Sequence, residues 1–166
     1  MYQDFSVCVS DKAKILVKEK DAKHFEYIGI KKLMLALDNK KELYSLDLHS
    51  KLHKIVRMEY LTPQDFFEIR TFTGSRILLG VENELYVDTF WVKVNDLIYH
   101  EKIYEWDFLK NLYIDSFITK IEYYGKRLAY QIYSEKDTGF IVNNILIRFD
   151  NEVHLDLGII PRQPIL

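Results

Sequence analysis

The sequence is short of cysteine, proline and glycine, with one, three and six copies in 166 residues, and neither sign of charge dominates: 23 Lys and Arg stand against 25 Asp and Glu. Each shortage excludes something. One thiol, Cys8, makes no internal disulfide and no cysteine-rich zinc site, and it suits a reducing compartment. A formal charge of −2 lacks the basic footprint of a nucleic-acid-binding domain. The run KLHKIVR is basic but short, and a solvated strand face explains it. No apolar run approaches the roughly 18 residues that cross a bilayer. The N-terminus carries Asp4 and lacks a basic start followed by an apolar stretch, so it does not read as a signal peptide. The expected location is intracellular, cytoplasmic or virion-associated. No glycine loop of the phosphate-binding kind occurs, and GSR after Thr73 is too short for one.

What is present favours β-structure. Hydrophobic residues make up 48% of the chain and aromatic residues 14%, with 12 Tyr and 10 Phe, residue types enriched in strands. A chain this long buries a core without disulfides or metals. FSVCVS alternates, with Phe5, Val7 and Val9 on one side and Cys8 on the other. AKILVKE predicts a second strand. Ile30, Leu33, Met34 and Leu37 have helical spacing and predict a short helix over 30–37. ELYSLDL and LHKIVRMEY predict strands, the latter ended at Pro63, which has no N–H to donate. DFFEIRTF and RILLG predict a hairpin around Gly74, followed by ENELYV and FWVKVNDLI. YHEKIYEWDFLKNLYIDSF fits a short helix or a loop with an extra strand. Further on come a strand, a turn at Gly125, a strand, an acidic turn and a final hairpin, GFIVNNILIRF. In it Asn143 and Asn144 predict a two-residue turn with positive φ. The segments from Lys54-Ile55 and Lys120-Ile121, 66 positions apart, follow one another's pattern and predict two related β-subdomains. The expected class is all-β, with residues 1–149 as one domain and 150–166 as an arm or docking strand.

The order of these elements resembles the Hint superfamily, to which inteins and the hedgehog autoprocessing domain belong. The resemblance covers roughly residues 5 to 149 and rests on VCVSDKAKIL, FFEIRTFTGSRILLGVENELYV, FWVKVNDLI and LAYQIYSEKDTGFIVNNILIRF. It implies a flattened horseshoe of curved antiparallel strands, with pseudo-twofold subdomains and one or two short helices. It also implies site positions. Cys8 falls at the family nucleophile, Gly80 at a threonine, Asn83 at a histidine, Arg148 at a penultimate histidine and Phe149 at a terminal asparagine. One chemical position of five is kept. Splicing chemistry begins with a thiol or hydroxyl attacking the preceding carbonyl. It needs oxyanion donors and a proton for the leaving amide. Asn83 is no proton shuttle near neutral pH, Gly80 has no hydroxyl, Arg148 stays charged, and Phe149 has no amide to cyclise.

Other residues offer less. Cys8 reads most simply as a small buried hydrophobe on an edge strand. His49 and His53 lie roughly 13 Å apart if the chain between them is extended, too far for one ion unless Ser50-Lys51 turns. His24, His100 and His154 read as loop or surface groups. The acid pairs Glu82 with Glu84 and Glu105 with Asp107 read as scattered surface acids rather than a glycosidase pair. Trp106, Phe108 and Tyr113 are the residues expected to anchor a protein partner, although a plain core role also fits them. The favoured expectation is a non-catalytic Hint-like structural or protein-interaction module, placed in a viral or mobile-element assembly. It needs no cofactor, metal, small-molecule substrate or membrane. Two alternatives stay open: residual autoprocessing through Cys8, and a nucleic-acid-binding β domain using Lys and Tyr near 51–60 and 120–130.

Overall fold

A computed structural model describes residues 5–135, 139–149 and 159–160. Most of the acidic turn (136–138) and most of the arm, with His154, lie outside the described residues. Period-two alternation becomes strands throughout. The chain opens with β1 (Phe5–Ser10), β2 (Lys14–Glu19) and β3 (Glu26–Gly29). Helix α1 (Ile30–Asp38) follows and buries Ile30, Leu33 and Met34, the residues whose spacing predicted it. Next come β4 (Leu43–Leu46), β5 (Leu52–Thr71), β6 (Arg76–Gly80), β7 (Asn83–Val87) and β8 (Phe90–Lys93). A 3-10 turn at Val94–Asp96 leads to β9 (Lys102–Asp107), β10 (Leu112–Ser134), β11 (Phe140–Val142), β12 (Ile145–Phe149) and β13 (Ile159–Ile160). Every strand pairing is antiparallel. Among the described residues the fold is all-β with one short α-helix.

Two long strands organise it. β5 has 20 residues and β10 has 23, and they pair from Thr71 against Ile118 to Ile55 against Ser134. Each emerges from a hairpin, β4–β5 or β9–β10, and pairs with its hairpin partner only near its start. Beyond that point each turns to the other long strand. A strand that changes partners along its length must bend, and these two carry the curvature. The two similar sequence segments, at Lys54 and Lys120, begin on these strands.

Both expected breaks in the long strands are bulges instead. Ala129 pairs with Leu61 and Arg127 with Gln64, so Thr62 and Pro63 together stand against Leu128. A bulge asks no ladder hydrogen bond of Pro63, and β5 passes through it. Likewise Tyr123 pairs with Phe67 and Gly125 with Phe66, which leaves Tyr124 as the extra residue. Gly125, at φ +129°, bends β10 without turning it back. The ambiguous stretch around Trp106 is a hairpin with no helix: Asp107 Oδ1 accepts the N–H groups of Leu109 (3.0 Å) and Lys110 (3.1 Å) and closes its turn.

The core sits where these layers meet. Val7 and Val9 of β1 join Ile15, Ile69, Ile132 and Phe140 in the main cluster, each such side chain worth about 1.5–3 kcal/mol on full burial. The opposite face of β1 is buried too. There Cys8 packs in a smaller cluster with Leu61, Phe66, Leu78 and Ala129.

Candidate functional site

β1 pairs on one side with β10, placing Cys8 against Gln131. Its other side meets the start of β7. There the Asn83 Oδ1 accepts the Cys8 amide N–H at 3.1 Å, and Asn83 Nδ2 donates to the Cys8 carbonyl oxygen. Asn83 is fully buried, and its carboxamide imitates one residue of a neighbouring strand, meeting both backbone groups that an edge strand leaves open. Gly80 closes the third side. A Cβ built there would lie 3.4 Å from Asn83 Nδ2 and 3.6 Å from Cys8 Sγ. The Phe149 backbone pairs with that of Asn83. Four of the five positions taken from the resemblance therefore meet in space, although 75 residues separate Cys8 from Asn83.

Arg148 does not join them. It pairs with Glu84, the residue after Asn83, and alternation puts that pair on the other face of β12 and β7. Its Nε donates to Glu84 Oε1 at 2.8 Å, and its guanidinium lies 4.5 Å from the Trp91 ring centroid.

The electrostatics around Cys8 oppose nucleophilic chemistry. The side chain is 3% exposed, and burial alone pushes its pKa up to about 12. A thiolate is the reactive form, and among the described residues no cation or histidine stabilises it. Strand β1 also begins three residues before Cys8. Phe5, Ser6 and Val7 pair with Ser134, Tyr133 and Ile132. The Val7–Cys8 peptide is thus held inside a ladder, with its N–H bound to Asn83.

The remaining candidates are placed as follows. The chain does turn between His49 and His53, with Ser50 at φ +60°. The consequence is an unexpected buried pair: His53 Nε2 lies 2.6 Å from Asp47 Oδ2. Asp47 also accepts the N–H groups of His49 and Lys51 through Oδ1. Burial would raise the Asp47 pKa, but these hydrogen bonds outweigh it and hold it below the ordinary value. His24, His49 and His100 are exposed. Among the described residues no three His, Cys, Asp or Glu side chains group to hold a metal. Glu82 pairs with Lys93 at 3.6 Å and Glu84 with Arg148. Glu105 is no surface acid. It is buried, and its Oε2 accepts from Thr73 Oγ1 at 2.6 Å. Its place in β9, facing a turn 32 residues away, carries no local sequence signal.

Trp106, Phe108 and Tyr113 divide between core and surface. Trp106 is 4% exposed and packs edge-on against Phe25 and Tyr113, with centroids 6.3 and 5.1 Å away. Tyr113 is half-buried, its hydroxyl donates to the Asp47 carbonyl at 2.9 Å, and burial raises its pKa. Phe108 is 43% exposed. The Asn143–Asn144 turn has the positive φ values expected, +49° and +73°. Its side chains also tie the final hairpin to the rest. Asn143 accepts from the Lys14 N–H and donates to the Arg76 carbonyl, each at 2.9 Å. Asn144 accepts from the Tyr27 hydroxyl at 2.6 Å and donates to Ser75 Oγ at 3.2 Å.

No family model and no curated protein matches this sequence. Solved structures do match its shape. A mutant of the Ssp DnaB mini-intein superposes with a TM-score of 0.71 over 90% of this chain and 94% of that one, at 16% identity. The DnaB intein from Synechocystis sp. gives 0.69 over 86% and 98%, at 17% identity. An intein from a hyperthermophile gives 0.70 over 87% and 99%, at 15% identity. With its curved antiparallel sheets, its single short helix and strand β1 seated against the start of β7, this chain has the fold of the inteins, the Hint fold.

Proposed function

We propose that this chain is a non-catalytic Hint-like domain, a structural or protein-interaction module in which splicing chemistry has been lost. The observation that carries this reading is the Asn83 clamp on Cys8. Self-cleavage would break the Val7–Cys8 bond as Cys8 Sγ bonds to the Val7 carbonyl carbon, and the freed Cys8 nitrogen would need a proton. Asn83 has no proton to give near neutral pH, Gly80 contributes no hydroxyl, and the thiol stays protonated. Residues 5–7 of the segment that would leave are paired to β10. Residues 1–149 form the module and 150–166 its arm, of which Ile159 and Ile160 pair with Leu61 and Tyr60 of β5. A reducing intracellular setting, within a larger viral or mobile-element assembly, suits such a domain.

The nucleic-acid reading draws less support. Several cations in these stretches are engaged by acids: Lys54 with Glu42, Arg57 with Glu59, Lys120 with Glu68 and Glu122, Arg127 with Asp11. Intact-mass measurement after long incubation at neutral pH, with and without a strong thiol, tests the reading. Full-length mass throughout is expected. Time-dependent release of residues 1–7 would establish residual autoprocessing through Cys8 in its place.

A further inference from the structure

We propose that the groove beside the β9–β10 turn docks an acidic peptide segment that carries a bulky apolar side chain. This deepens the interaction-module reading and rests on it. The groove encloses about 620 Å³. Leu46 and Trp106 form its floor, Phe108 and Leu109 one wall, and Lys18 and Lys23 stand on its rim.

Three observations select the occupant. The first is charge. No Asp or Glu lines the groove. Neither Lys18 nor Lys23 forms an ion pair among the described residues. Two free ammonium groups over an apolar floor suit carboxylates flanking an apolar anchor.

The second is rigid display. Leu109 is 92% exposed. A single exposed leucine is ordinary, but this one adjoins exposed Phe108 and sits on a closed turn. Asp107 Oδ1 accepts from its N–H, and the Asn111 N–H donates to the Asp107 carbonyl at 2.8 Å, with Asn111 at φ +53°. An apolar wall fixed in this way needs little ordering when a partner arrives.

The third separates peptide from nucleic acid. Base stacking needs open ring faces. Trp106 is buried and crossed edge-on by Phe25 and Tyr113 at 66° and 78°, and Phe108 leans on Tyr27 with centroids 5.7 Å apart. The accessible apolar lining comes from Leu52, Phe108 and Leu109, and the two leucines grip a side chain and do not stack a base.

The test pans a phage-displayed library of random dodecapeptides on the intact protein, then titrates the leading peptide in fluorescein-labelled form. The enriched peptides are expected to combine Asp or Glu with Phe, Trp or Leu. Affinity is expected to fall about tenfold or more in the K18E/K23E double variant and in Leu109→Asp. Lys23 and Leu109 are exposed and Lys18 is half-buried, and unchanged thermal unfolding certifies the variants. Enrichment without acids, no enrichment, or equal binding by the variants overturns the proposal. Labelled oligothymidylate that binds the protein and is lost in the same variants replaces it with a nucleic-acid site. Release of residues 1–7 would sink the non-catalytic reading and leave the groove standing; peptides indifferent to charge reversal would sink the groove alone.

Discussion

Asn83 holds both backbone polar groups of Cys8, accepting its N–H and donating to its carbonyl oxygen, in a site closed to water. Removing that carboxamide strands two buried groups at once. Asn83→Ala is expected to lower stability by about 2–4 kcal/mol, since each buried group left without a partner costs about 1–3 kcal/mol. Urea unfolding followed by circular dichroism measures it. A loss below about 1 kcal/mol would mean that water replaces the clamp.

The Cys8 thiol should behave as a buried group and not as a reagent. With its pKa raised to about 12 from an ordinary 9.0, Ellman's reagent at pH 8 is expected to label it slowly in the folded protein and at once in denaturant. The sign of the pH effect follows from the same shift. The native state keeps the proton, so the contribution of Cys8 is complete below about pH 9 and declines from there toward pH 12 as the unfolded chain ionises. Alkaline unfolding of wild type beside Cys8→Ala reads this out. A wild-type curve no steeper than that of the variant over this interval would contradict the burial argument.

Two glycines should respond in different ways. Gly80→Ala is expected to be tolerated, because its Cβ would meet Asn83, Cys8 and Phe66 at 3.4–3.6 Å, ordinary contact. Gly80→Thr adds two more atoms in that space and should cost about 1–3 kcal/mol from overpacking. Gly125→Ala meets nothing within 4 Å, so any loss, about 1 kcal/mol, comes from φ +129° alone. Chemical denaturation of the three variants, compared by midpoint at constant slope, separates crowding from backbone strain.

The Asp47–His53 pair predicts a change at acid pH. Hydrogen bonds hold the Asp47 pKa below its ordinary 3.8, so its stabilisation is present above that value and lost as pH falls through the lower folded value. Asp47→Asn is expected to reduce stability at pH 7 and to flatten acid unfolding below pH 4. Identical acid limbs for variant and wild type would assign the effect to other carboxylates.

Much of the fold was legible because alternation and helical spacing are local signals. Ile30, Leu33 and Met34 located α1, and Asn143–Asn144 located the last turn with its positive φ. Pro63 and Gly125 misled for one reason: locally each reads as a break, and only the partner strand shows that an unpaired residue has been absorbed. The meeting of Cys8, Gly80 and Asn83 was legible only through resemblance, since no local pattern joins positions 75 residues apart. Asp47 with His53, and Glu105 with Thr73, were not legible at all. A buried acid reads like an exposed one until the chain that covers it is in place.

The seating of β1 also sets the order in which the molecule is completed during synthesis. Its partners on β10 are residues 129–134, so β1 waits while more than a hundred later residues are translated, on the order of 10 s at typical rates. During that interval Val7 and Val9 have no native ladder to enter. Chaperone engagement of the nascent β1 strand, or its accidental pairing with another chain, is therefore the hazard this topology carries.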